Sequence, residues 1–167
     1  RRANLAATME LVAEVLRQPA FPESEFEELR RAQLSGAESQ RSDPAALAGI
    51  NLSRHVNPYP RGHWLHTQTV DERIDAIRGA TREAAARCHT DLVGATGADI
   101  AAVGDFDPDE LMTLVERLFG DWRNPTPYQR IPTHFFEQPG TEREFIPPDK
   151  ANAVLRGALP MRMRDDH

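Results

Sequence analysis

The most closely spaced imidazoles in the chain, His63 and His66, lie in the tetrapeptide HWLH. On a helix, positions i and i+3 share a face and could hold a metal between them. Pro58, Pro60 and Gly62 argue against a helix there, and no Glu or Cys lies close by to complete a tetrahedral set. The segment reads as a loop, with Trp64 and Leu65 packed inward. Cys88 and His89 bring together the two ingredients of an activated thiol nucleophile. Neighbours on a helix do not face each other, so they are not expected to work as nucleophile and base. Cys88 is the only cysteine, which rules out an internal disulfide, and it reads as a small core or boundary residue. Asp105 and Asp107 are carboxylates at i and i+2, the pattern of a metal pair. Turn chemistry and a helix N-cap explain both without a metal. Gly94 and Gly97, in GATGAD, precede an apolar run, whereas a phosphate-cradling glycine cluster follows a strand and opens a helix.

These residues need elements to position them. Leu5, Met9, Val12 and Leu16 have the spacing of an amphipathic first helix, closed by Pro19 and Pro22. Ser24 and Glu27 have the spacing of a capping box for a second helix over about 25–41, with Phe26, Leu29, Ala32 or Gln33, and Ala37 inward. Asp43 and Pro44 open a third helix to about His55, with Leu47 and Ile50 inside. Thr69 and Glu72 make another capping box, ahead of Val70, Ile74 and Ile77. A further helix is expected over about 82–92. The run Ile100–Val103 is short and uniformly apolar, as in a buried strand, and Gly104 breaks it. Asp107 then caps a helix with Pro108 in its first turn, Leu111, Leu114, Val115 and Leu118 on one face, and Gly120 at its end. A proline-rich stretch over 124–140 reads as an extended linker. Glu142–Ile146 and Asn152–Met161 are two more strand candidates. Many helices against a small sheet make the expected class α+β.

Composition narrows the function. A chain of 167 residues, 40 % hydrophobic and 28 % charged, has the size and make-up of an ordinary globular domain that buries roughly 70 % of its unfolded surface. A net charge of −6 argues against nucleic acid as the main partner, because a phosphate binder needs a basic face. The eleven aromatics are scattered, without basic residues interleaved. Nineteen of the twenty cations are arginine, Lys150 being the exception, a bias that points to a GC-rich genome rather than an Arg-based site. No apolar run is long enough to span a membrane. The chain opens without Met, already in helical pattern, and closes at MRMRDDH, so both ends read as cuts in a longer protein.

The stretch Asp99–Trp122, DIAAVGDFDPDELMTLVERLFGDW, resembles a recurring segment of the M16 metallopeptidases, the family of insulinase, pitrilysin and the mitochondrial processing peptidase. Residues 19–44, PAFPESEFEELRRAQLSGAESQRSDP, resemble the family's helix between a P-x-F turn and a D-P cap. Residues 58–77, PYPRGHWLHTQTVDERIDAI, resemble the connection that follows. The segment PPDKANAVLRGALPMRMRDDH resembles the opening of the next unit. Together the likenesses cover nearly the whole chain, in the family's order.

The resemblance implies a processing-peptidase-like metallohydrolase unit over 1–123, the linker over 124–140, and strands over 141–167 that open a following unit. It also implies zinc, held in the family's active unit by H-x-x-E-H on one helix and a Glu on a later helix. No H-x-x-E-H occurs here. Glu38 lies in the helix matching the third ligand, but too close to Pro44 for the family's register, where Ser35 or Gly36 stands instead. The implied reading is a non-catalytic unit with no catalytic, cofactor-binding or metal residue of its own. It would wall a chamber around a peptide substrate, with zinc carried by the parent protein's catalytic half. Its partners would be the other units of the same polypeptide and the peptide, with self-association through exposed edges. Two alternatives stay open: a catalytic half whose H-x-x-E-H lies outside this sequence, with Glu38 as a true ligand, and a non-enzymatic assembly subunit of the same fold.

Overall fold

The computed structural model describes residues 2–147 and 150–162. Six α-helices follow in order: α1 (Leu5–Arg17), α2 (Glu23–Ser39), α3 (Pro44–Val56), α4 (Val70–Gly79), α5 (Arg82–Leu92) and α6 (Pro108–Phe119). Single 3₁₀ turns precede α1 and follow α2. Among the described residues there is no strand, so the expected α+β class is corrected to all-helical. The cause lies in pairing. A strand satisfies its backbone N–H and C=O groups only beside another strand, and none of the three candidates has a ladder partner. Ile100 is 54 % and Val103 102 % exposed, the opposite of a buried strand. Glu142–Ile146 carries three charged side chains, and it is separated from the 152–161 run by Pro147 and Pro148, which donate no hydrogen bond. Leu155 and Leu159 in that run stand exposed.

The chain forms two compact units. The first comprises the residues up to Phe26 together with Thr81–Gln129, and it centres on α1 against α6. Leu111, Leu114, Val115 and Leu118 are half-buried, as their spacing requires. On α1 the inward row is Leu5, Met9 and Ala13, while Val12 and Leu16 are exposed. This corrects the expected stripe: a pure i+4 progression from Leu5 carries the contact through Ala13 to Arg17. Arg17 Nη1 donates to the Leu118 carbonyl at 2.7 Å and to Asp121 Oδ1 at 2.8 Å. A cation thus sits on the Leu118 carbonyl in the last turn of α6, where the helix dipole favours it. The same bond, followed by the Arg17 charge, holds the Asp121 carboxyl below its usual range.

The glycines of the 93–98 loop have a packing role. Asn124 Nδ2 donates to the Leu92 carbonyl at 2.8 Å, and its Oδ1 accepts from the Thr96 N–H at 3.0 Å. Its own N–H donates to Thr96 Oγ1 at 3.1 Å. Gly94 lies so close beneath that a Cβ there would meet Asn124 Oδ1 at 2.6 Å and Asn124 N at 2.7 Å. The loop therefore clamps the exit of α6 to the end of α5.

The second unit comprises Glu27–Ala80 and the residues from Arg130 onward. Its core is Ala37, Val70 and Ile74, flanked by Leu34, Leu47, Ile50 and Ile77. The inward faces expected for α3 and α4 are all present. On α2 only Ala37 of the expected face is buried; Leu29 is 60 % exposed and Leu34 takes its place. The Ser24–Glu27 capping box does not form, because α2 already begins at Glu23, with the Phe26 N–H bonded to the Pro22 carbonyl at 3.0 Å. Glu27 instead accepts two bonds from Arg30. The Asp43 cap of α3 and the reciprocal Thr69–Glu72 box of α4 form as their sequences require.

Candidate functional site

Each chemistry-bearing residue has a definite place. Cys88 is exposed on α5, which corrects its expected boundary position. His89 faces away from it: Nε2 meets the Leu16 carbonyl at 2.8 Å, and the ring packs edge-on to Phe21. Phe21 itself takes a left-handed conformation (φ 45°) at the turn before α2. Asp107 caps α6 by accepting from the N–H groups of Asp109 and Glu110 at 3.0 and 3.1 Å. Asp105, 3.7 Å from Arg2, is not turned toward a shared ligand with it. Glu38 accepts from Arg78 Nη2 at 3.1 Å and is half-exposed.

A zinc ion of the kind implied for the family's active unit does not fit these residues. The carboxylate of Glu38 is engaged by a guanidinium. Among the described residues no three His, Cys, Asp or Glu side chains converge to join it.

The two loop histidines have separate structural tasks. His63 stacks on Tyr59, with ring centroids 4.5 Å apart, and its Nδ1 accepts from the Leu65 N–H at 3.1 Å. Leu65 is half-buried, whereas Trp64 is 79 % exposed, a correction to its expected inward packing. His66 places Nδ1 2.9 Å from the Tyr59 carbonyl and Nε2 3.1 Å from Glu72 Oε2. Arg54 Nη1 donates to the Thr67 carbonyl at 2.6 Å and reaches the same Glu72 oxygen at 3.4 Å. One helix cap therefore ties α3, the 57–67 loop and α4 together.

Glu72 is accordingly pushed down to about 2 from an ordinary 4.5, first by the Thr69 N–H, then by the His66 hydrogen bond, with the charges of His66 and Arg54 adding to this and partial desolvation opposing it. A carboxyl with a lower pKa folded than unfolded contributes stability that is complete above its unfolded value and is lost as pH falls. The second unit should therefore loosen as pH drops from 4.5 toward 2, beginning at the start of α4. Amide exchange at Val70–Arg73 measured across that range checks this. Glu72→Gln should flatten the dependence, and an unchanged slope in that variant would exclude the assignment.

Beside this network lies an open cleft of about 340 Å³, bounded by the end of α3, the 57–67 loop and the 138–143 segment. The far wall is anchored at three places. The His134 N–H donates to Tyr59 Oη at 2.8 Å, Phe136 meets Tyr59 edge-on, and His55 Nε2 bonds the Pro139 carbonyl at 2.9 Å. The cleft is lined by Asn51, Arg54, Asn57, Gln138 and Arg143 among others, and by no Asp or Glu. Sequence reasoning did not find it, because its walls lie some eighty residues apart. The one local signal is Arg54 near the end of α3, a cation in a chain whose net charge is negative.

The family model described as the Peptidase M16 inactive domain matches residues 79–167. No curated protein and no solved structure matches the chain. The matched stretch takes in α5, α6 and all of Asp99–Trp122, the segment in which the resemblance is densest. Matched over more than half its length, the chain belongs to the M16 peptidase family, and the matched part is of the inactive, non-catalytic kind.

Proposed function

We propose that the chain is a non-catalytic part of a zinc-dependent M16-type peptidase, serving as scaffold and as peptide-contacting wall for hydrolysis carried out by another half. The observation that carries this is the match to the inactive domain over 79–167. The engagement of Glu38 by Arg78 supports it, since that carboxylate is the nearest residue to a family ligand. The partners in this reading are the other M16 units of the same polypeptide. Exposed apolar residues support such a role within each unit: Ile100 and Val103 in the first, Leu155 and Leu159 in the second. Exposed apolar side chains of this kind are what a partner can cover. No described helix is long and apolar enough to cross a membrane.

The test is turnover. Incubated with zinc and a mixture of internally quenched peptides, the chain should give no fluorescence increase above buffer. Cleavage that survives repurification and disappears with a chelator would overturn the proposal. In sedimentation, the exposed apolar residues should show as concentration-dependent self-association, and a strict monomer at every concentration would count against that part of it.

A further inference from the structure

The cleft of the second unit combines two kinds of recognition chemistry. Arg143 is exposed at its rim and makes no ion pair or hydrogen bond among the described residues. On the opposite wall Arg54 spends Nη1 on Thr67 and Glu72, and its remaining guanidinium nitrogens have no hydrogen-bond partner among the described residues. Glu72, the carboxylate nearest to Arg54, is already occupied by Thr69, His66 and Arg54, and it does not line the cleft. Asn51 donates Nδ2 to the Leu47 carbonyl at 2.9 Å, which leaves its Oδ1 to accept. Asn57 and Gln138 add two more amides. Amides pair with peptide groups, and a guanidinium pairs with a carboxylate through parallel N–H donors. No lining carboxylate competes for that position.

We propose that this cleft receives the side-chain carboxylate of a Glu or Asp in an extended peptide, with Arg143 as its principal charge partner and the amides of Asn57 and Gln138 holding the adjoining main chain. The proposal rests on the reading of the chain as a peptide-contacting wall and adds the class of peptide. It concerns recognition only, and no bond is made or broken.

The test is a nuclear magnetic resonance titration of the chain with two probes, acetyl-Ala-Ala-Glu-Ala-Ala-amide and the same peptide with Gln in place of Glu. Resonances of the Arg143 Nε–H and the Gln138 side-chain amide should move. The Glu peptide should saturate at about tenfold lower concentration, as one charge-assisted hydrogen-bonded pair implies. Arg143→Gln, at an exposed position with no partner to lose among the described residues, should erase the difference while leaving the circular dichroism spectrum unchanged. If the Glu and Gln peptides shift the same resonances equally, the carboxylate preference is wrong while peptide contact stands. If neither peptide moves any resonance, both this proposal and the peptide-contacting role fall. A Glu preference that persists in Arg143→Gln would overturn the assignment to this residue.

Discussion

Ile74→Ala should cost the second unit about 2–5 kcal/mol, because removing a buried aliphatic side chain forfeits both transfer energy and packing. Ile74 is 1 % exposed at the centre of a core whose other buried members are Ala37 and Val70. A domain's whole stability is only about 5–15 kcal/mol, so a core this small has little to spare. Urea unfolding followed by circular dichroism should show a clear fall in midpoint. Leu29→Ala, on the same unit but 60 % exposed, should change stability by no more than about 0.5 kcal/mol. Equal effects of the two substitutions would contradict the core described for α2, α3 and α4.

The second large effect is expected at Gly94. Alanine there would put a methyl group 2.6 Å from Asn124 Oδ1 and 2.9 Å from the Arg123 carbonyl carbon. Part of this obstruction is backbone, so a rotamer change cannot relieve it, and overpacking of this kind costs about 1–3 kcal/mol. The loss should be confined to the first unit and should appear as faster amide exchange at Ala95 and Thr96, whose N–H groups bond Trp122 and Asn124. Gly36→Ala, with open space around its Cβ position, is the matched control. It should be neutral or slightly stabilising, since alanine favours the helix interior. Unchanged exchange at Ala95 and Thr96 in Gly94→Ala would show that the loop does not clamp Asn124.

The contrast between what sequence foretold and what it missed is one of range. The caps at Asp43, Thr69–Glu72 and Asp107 involve residues two or three apart, and the rule that identifies them is the interaction itself. The Ser24–Glu27 box failed although its spacing was correct. The turn at Phe21 and Pro22 starts α2 at Glu23, which places Ser24 inside the helix. Helix faces were readable on α4, whose large apolar residues Val70, Ile74 and Ile77 fall on one face, and on α6. They were misread on α1 and α2, where Ala13, Leu34 and Ala37 rather than the larger Val12, Leu16 and Leu29 make the contact. Apolar runs at 100–103 and 152–161 have strand composition, but a strand also needs a partner that no local pattern supplies. The cleft was hidden for the same reason, since Tyr59 and His134, like His55 and Pro139, meet across long stretches of chain.

The non-catalytic reading of this M16 chain is tested most directly by its zinc content. Equilibrium dialysis against micromolar zinc, followed by metal analysis, should find no stoichiometric zinc on the chain and no difference between it and Glu38→Gln. One tightly held zinc per chain, lost on Glu38→Gln, would contradict the account and identify Glu38 as the third ligand of a catalytic half.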